Sequence, residues 1–275
     1  MNILIIGSEG SIGREICKTY KKKHKIYKID KIKKNEKNYY TVDLSKKRVK
    51  KIIFKVNIDL VIFLSFNLNF KYYDNKKYIS EGKNILENSL SIIKLNKIKK
   101  IQYFSSFAVY GNNEKINIEN LKVSPVTSYG KLKLFFEKKL ISYSSINDIN
   151  LQIFRIPNVY GRNFKSSVIY KFKFLTKNKQ NVILNNNGNA IRNFIHINDL
   201  CSLSIKASKV TISGIYNATF NKNYKIIEIA KKMNCKIKFN PKKFKEPKII
   251  QGNSKKAFND FDWKAKIDII KIKNL

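Results

Sequence analysis

The chain of 275 residues contains only three cysteines, two histidines, one tryptophan and four prolines, and these shortages exclude whole classes of protein. Cys17, Cys201 and Cys235 are odd in number, far apart and in no metal-type spacing, so they read as reduced thiols rather than a disulfide framework. With His24 and His196 as the sole imidazoles, a zinc or iron site held by protein ligands is not expected. No apolar run approaches the roughly 18 to 20 residues that cross a bilayer, and a core strand starting at Asn2 leaves no room for a secretory leader. The expected compartment is therefore the cytoplasm, without a membrane partner. Acidic side chains are scarce as well: 19 Asp and Glu face 57 Lys and Arg, for a formal net charge of +38.

Such a charge raises the question of nucleic acid. The cations, however, are nearly all lysine, with arginine confined to Arg14, Arg48, Arg155, Arg162 and Arg192, and they run along the whole chain rather than in one stripe. Asn and Ile are abundant too, which is the joint bias an AT-rich genome imposes on exposed positions. Nucleic acid is thus not the expected partner, although the surface field attracts small anions in a salt-sensitive way. A hydrophobic content of 43% with 12% aromatics argues for an ordered core, at a length that suits one large α/β domain with a smaller lobe.

The first strong local signal is Gly7-Ser8-Glu9-Gly10-Ser11-Ile12-Gly13, directly behind the apolar run Ile3-Leu4-Ile5-Ile6. A strand that ends in a turn nearly free of side chains lets backbone approach a phosphate, and the following helix aims its first N–H groups, from Ser11, Ile12 and Gly13, at that anion. Farther along, β-rich runs alternate with helical periodicity. Strands are expected at about 2–6, 25–29, 39–42, 59–65, 101–105 and 150–156, with helices near 11–22, 46–55, 76–96 and 128–145. That alternation defines a doubly wound parallel sheet of the Rossmann kind, with ligands at the carboxyl ends of the strands. Residues 1–158 would form the dinucleotide-binding domain and 159–275 mostly a smaller substrate lobe, with a strand near 214–218 returning to the main sheet.

The second strand ends in Asp30, 17 residues beyond Gly13. An acid there accepts hydrogen bonds from the adenosine ribose hydroxyls and repels a 2′-phosphate, which favours NAD over NADP. Lys28, Lys31, Lys33 and Lys34 surround it and leave NADP open. Asp43, after the next strand, is placed to reach the adenine edge. Tyr129 and Lys133 stand four apart on one helical face, where an ammonium lowers the pKa of a phenol and orients a ribose. Tyr27, Tyr72 and Tyr73 also have a lysine four residues on, so context must separate Tyr129 from them.

That context is Phe104-Ser105-Ser106-Phe107-Ala108-Val109-Tyr110-Gly111 about two dozen residues earlier, Arg155-Ile156-Pro157-Asn158-Val159-Tyr160-Gly161, and Arg192-Asn193-Phe194-Ile195-His196-Ile197-Asn198-Asp199. Together with Gly7/Gly10/Gly13 and Asp30, in this order, the chain resembles the extended short-chain dehydrogenase/reductase family, in its nucleotide-sugar epimerase and dehydratase branch. The resemblance implies that Tyr129 is the general acid and base, Lys133 its electrostatic partner and Ser106 the hydroxyl that binds substrate. It places Leu44, Ser105 and Pro157 on the cofactor side, and Asn158 and Arg192 on the sugar diphosphate. It further implies a homodimer built on helices 76–96 and 128–145.

Departures from the family pattern are equally informative. The fourth strand ends in Leu64-Ser65-Phe66 where the family has Leu-Ala-Ala, Asn193 replaces an acid, and Tyr78 or Asn84 occupies the neighbourhood of a family asparagine. Ser106-Phe107-Ala108 stands where 4,6-dehydratases carry Thr-Asp-Glu, so elimination of water lacks its acid and base. Two enzymatic readings remain, a C4 epimerase that recycles NAD and a 4-ketoreductase using NADH or NADPH. A dinucleotide-sensing or nucleic-acid-binding protein on the same fold is the third.

Overall fold

The computed structural model describes residues 1–66, 76–113, 115–161, 164–165, 167–242 and 247–272. The apolar runs become strands buried on both faces: Ile3 through Ile6 and Leu60 through Phe63 are all 0% exposed. The first half of the chain carries β1 (Asn2–Ile6), α1 (Ser11–Lys21), β2 (Lys25–Asp30), β3 (Tyr39–Thr41) and β4 (Leu60–Phe63). Then come α2 (Lys76–Leu95), β5 (Lys100–Ser106), α3 (Ser128–Ile146) and β6 (Asn150–Ile156). The remainder adds β7 (Asn158–Tyr160), α4 (Val168–Lys177), β8 (Asn181–Leu184), β9 (Ile191–His196), α5 (Ile197–Ser208) and β10 (Gly214–Asn217). It closes with β11 (Asn223–Lys225), α6 (Ile226–Lys232), β12 (Lys236–Phe239), β13 (Ile249–Ile250) and α7 (Lys255–Phe261).

Two compact units result. The first comprises Met1–Ser105, Val126–Phe154 and Ala207–Ile215, the second Ser106–Pro125, Arg155–Lys206 and Tyr216–Leu275. The main sheet is a seven-stranded parallel sheet in the order β10-β6-β5-β4-β1-β2-β3, the doubly wound arrangement expected from the sequence. Its order reverses between β1 and β4, and the crevice at that reversal is where such sheets bind ligands. The second unit has its own core around Tyr160, Phe172, Leu184 and Phe194, a sheet in which β9 pairs with β7, β11 and β13, and a β8–β12 ribbon.

One expected element is not there. Residues 46–55 form no helix. In this stretch Ile52 and Phe54 are buried while Ile53 is 65% exposed, an alternation with the period of extended chain. Lys46, Lys47, Arg48, Lys50 and Lys51 would also crowd like charges onto little more than one helical turn. The backbone finds its partners on α2 instead. Asn88 Nδ2 donates to the carbonyls of Leu44 and Lys46, both at 2.9 Å, and Asn84 Nδ2 to that of Ser45 at 2.8 Å. Asn96 accepts from Phe54 N at 2.8 Å and donates to Ile52 O at 2.9 Å, replacing the ladder a helix would have made internally.

If those amides hold the segment, Asn96→Ala should lower the unfolding free energy by about 1–3 kcal/mol, since it strands buried backbone groups. Urea unfolding followed by circular dichroism measures this. A change under about 0.5 kcal/mol would show that burial of Ile52 and Phe54 alone is sufficient.

Candidate active site

At the carboxyl end of β1 the chain turns through Gly7 at φ +89°, and a Cβ on Gly7 would lie 2.7 Å from Ser65 N at the end of β4. The turn is thus pressed into the reversal point of the sheet. A Cβ on Gly13 would meet Gly7 O at 2.2 Å, so Gly13 lets α1 start against the turn. Gly10 differs, because a Cβ there would meet only Gly7 O, at 3.5 Å. Packing within the protein does not require glycine at position 10. A ligand lying on the loop would, and α1 begins at Gly10 with no side-chain cap over its first amides, next to half-buried Ser11 and Ile12.

Asp30 at the end of β2 accepts from Glu9 N at 2.9 Å and Ile32 N at 3.1 Å, which fixes its carboxylate beside the glycine turn. The lysines around it are partly engaged. Lys34 Nζ lies 2.7 Å from the buried carboxylate of Glu9, and Lys28 Nζ 2.6 Å from that of Glu36. Asp43 closes a local turn, with Oδ1 accepting from Ser45 N at 3.1 Å and Ser45 Oγ at 2.6 Å. Burial works against its ionised form, but the Ser45 bonds outweigh that and hold the carboxyl below its ordinary range. Leu44, expected on the cofactor side, has its side chain in the core at 4% exposure.

Thr127 caps α3, its Oγ1 accepting from Gly130 N at 3.1 Å, and this sets the start of the helix that carries Tyr129 and Lys133. Lys133 is 5% exposed. Its Nζ donates to Phe104 O at 2.7 Å and stands 4.3 Å and 4.9 Å from the ring centroids of Phe66 and Tyr103. Burial lowers its pKa to about 7, against an upward pull from Glu137. The half-buried Tyr129 packs edge-on to the same Phe66 ring, with centroids 5.4 Å apart at 87°. Tyr72 and Tyr73, the decoys of the same spacing, lie outside the described residues.

One acidic member of this cluster is not singled out by the sequence. Glu137, 1% exposed, sits one turn beyond Lys133 and accepts a hydrogen bond from Ser105 Oγ. Its signal was available, since 129, 133 and 137 share one helical face. Ser105, expected against the cofactor, gives its hydroxyl to Glu137 instead, because strand alternation turns 105 inward. Of the two candidates on α2, Tyr78 reaches the cluster, 6.3 Å from Phe66, whereas Asn84 supports residue 45. Burial pushes the Tyr78 phenol well up, and the neighbouring Tyr129 adds to this.

In the second unit, Ser106 Oγ accepts from Ala108 N at 3.2 Å and caps the short turn that follows β5. Pro157 is half-buried between β6 and β7. Asn158 and Arg192 line one cavity of about 450 Å³, joined there by Lys171, Asn181 and Asn185. Arg192, 8% exposed, donates to Ile191 O at 2.9 Å and Lys248 O at 3.2 Å. Much of the remaining lining is apolar, including Phe172, Leu184 and Ile226. Two cations among apolar neighbours suit a ligand with both an anionic and an apolar part. Asn193, the family departure, is 0% exposed, accepting from Gly252 N and donating to Lys222 O at 3.0 Å, a donor role no carboxylate could fill.

A seven-stranded, doubly wound parallel sheet with a glycine turn at its reversal point defines a Rossmann-type fold. The chain belongs to the NAD dependent epimerase/dehydratase family, which it matches over residues 3–221. A putative UDP-arabinose 4-epimerase 4 of Arabidopsis thaliana is 25% identical over 219 residues, covering 66% of this chain and 50% of that protein. The match therefore spans about half the length of that relative. A putative UDP-glucose 4-epimerase of Methanocaldococcus jannaschii is 27% identical over 222 residues, 74% of this chain and 72% of that protein. The fold is shared with a variant UDP-glucuronic acid 4-epimerase from Bacillus cereus, crystallised with a fluorinated UDP-sugar and NAD. There the TM-score is 0.84 at 20% identity, covering 98% of this chain and 96% of that one. A dTDP-glucose 4,6-dehydratase from Bacillus anthracis in complex with NAD superposes with a TM-score of 0.80 at 18% identity, covering 98% and 93%. One fold thus serves both chemistries.

The three glycines should respond differently to a methyl group. Gly13→Ala is expected to lose at least about 1–3 kcal/mol of stability through its clash with Gly7 O. Gly10→Ala should lose under about 1 kcal/mol. Paired thermal melts decide this; equal losses would mean that Gly10 too is required by internal packing.

Proposed function

We propose that this protein is an NAD-dependent nucleotide-sugar C4 epimerase, with Tyr129 as the acid and base. The observation that carries the reading is the Tyr129–Lys133 couple, one turn apart on α3, with the ring of Phe66 against both and Lys133 Nζ bound to the carbonyl of Phe104 in β5. Tyr129 takes the proton of the sugar C4 hydroxyl and later returns it, and Lys133, when charged, makes the phenolate less costly. NAD, when bound, supplies the acceptor and then the donor of hydride at that carbon. Gly7, Gly10 and Gly13 with the start of α1 hold its pyrophosphate, and Asp30 its adenosine ribose. NAD is preferred over NADP because Asp30 stands at the end of β2, and two of the lysines around it, Lys34 and Lys28, are held by Glu9 and Glu36. Ser106 binds the substrate oxygen, and Asn158 and Arg192 hold the nucleoside diphosphate in the cavity of the second unit.

Two relatives named as putative UDP-sugar 4-epimerases support epimerisation. Phe107 and Ala108 stand where elimination would need carboxyl groups, so no dehydratase activity is proposed. Phe107 is 2% exposed and packs edge-on to Tyr110, 5.6 Å between centroids. The proposal includes a homodimer through α2 and α3, whose Leu95, Ile141 and Ile146 are exposed.

The test is incubation with UDP-hexoses without added nicotinamide. Inversion at C4 is the expected result, while a strict requirement for stoichiometric reduced cofactor would favour the ketoreductase and overturn the proposal. Tyr129→Phe should lower kcat by about 10²–10⁴. Gly10→Ala should weaken NAD by at least about tenfold, or 1.4 kcal/mol, measured by calorimetric titration.

A further inference from the structure

The ammonium of Lys133 is enclosed unevenly. Phe104 O, on β5, accepts a hydrogen bond from it at 2.7 Å, and the ring of Tyr103, 0% exposed on the same strand, lies 4.9 Å away. The ring of Phe66 lies nearer, at 4.3 Å. Of the three described residues around Nζ, Phe104 and Tyr103 are buried, and Phe66, just beyond β4, is the partly buried one. It also meets Tyr129 edge-on at 5.4 Å and Phe136 at 5.4 Å. One side chain thereby touches both members of the couple, at a position where the family has a small residue.

We propose that Phe66 is a positioning residue for the Tyr129–Lys133 couple: its ring keeps water from Lys133 Nζ and thereby decides up to which pH the ammonium persists beside the phenol. This rests on the assignment of those two residues as the reacting pair. Among the described residues, the other titratable groups around Lys133 are Glu137 and Tyr129 from α3, Tyr103 from β5 and, beyond Phe66, Tyr78 from α2. Burial pushes the Tyr103 and Tyr78 phenols well above their ordinary range, which leaves Glu137 as the neighbouring charge. Glu137 is itself fixed by Ser105, so hydration is the variable that position 66 controls. A ring face attracts a cation, but that attraction is smaller than the cost of stripping water from an ammonium. Removing the ring therefore raises the pKa of Lys133 from about 7 toward its ordinary 10.5. Below its pKa Lys133 is charged and favours the phenolate; above it the couple loses that help. Removal of the ring should thus carry the alkaline limb of activity upward.

The experiment is a side-chain ¹³Cε titration of full-length, lysine-labelled protein with saturating NAD and without it, the Lys133 signal being assigned by its loss in Lys133→Arg. Phe66→Ala is expected to raise the Lys133 midpoint by at least about one unit, and the alkaline limb of kcat/KM should follow it. Phe66→Leu, which keeps the bulk and drops the π face, should leave both in place. Should the alanine variant fail to fold, Phe66→Val serves as the smaller side chain, with an upward shift again expected. An unmoved or lowered midpoint in the smaller variant overturns the proposal, as does a leucine variant that shifts as alanine does. The reading of the reaction stands apart: a midpoint that moves in a protein unable to invert C4 sinks the epimerase and spares the role of Phe66, and the reverse pattern does the opposite.

Discussion

An ammonium kept almost dry is the constraint on which the first unit turns. Lys133 at 5% exposure would be prohibitively costly in an apolar pocket, so each neighbour reduces a different part of that cost. Phe104 O accepts a hydrogen bond, the rings of Phe66 and Tyr103 lie against the remaining charge, and Glu137 supplies the opposite sign one turn along the helix. These demands fix α3 relative to β5: the lysine must reach the carbonyl of 104 while the glutamate meets the hydroxyl of 105. The Thr127 cap and the α3 register are consequences of the same placement, and Tyr129 emerges where the helix begins. The price of burying the charge is a lysine that titrates near neutrality.

How far the sequence reveals such a structure depends on whether a residue's partners are local. The strands of the main sheet were legible because a core strand is a run of apolar residues, and Ile3 to Ile6 need no distant information to be recognised. Segment 46–55 is harder to read because backbone groups in it are held by the side chains of Asn88 and Asn96, some forty residues away, and no periodicity records a backbone satisfied from outside. Ser105 and Ser106 look alike in the sequence, yet strand alternation gives one to Glu137 and leaves the other to cap the following turn. Phe66 was visible as a departure from the family, but its meaning lay in a ring centroid 4.3 Å from a nitrogen.

Charge shows the same division between composition and placement. A net charge of +38 describes an average field and says nothing about the few acids that matter locally. Glu9, 6% exposed within the glycine turn, holds Lys34, while Glu36 holds Lys28 and lies 3.6 Å from Lys34 as well. Two carboxylates thus bind two of the four lysines around Asp30. In a chain this rich in lysine, cofactor choice depends less on the number of positive groups than on which of them are already paired.

The glycine turn shows how an internal requirement can be separated from a functional one. Gly7 and Gly13 are explained by neighbours inside the protein: the strand end at Ser65 and the carbonyl of Gly7 leave no volume for a methyl group. Gly10 has no such explanation, since the space where its Cβ would stand is open except for one oxygen at 3.5 Å. A position that tolerates a side chain sterically, yet lies at the uncapped start of a helix between two glycines that do not, is best accounted for by a ligand that needs the same volume.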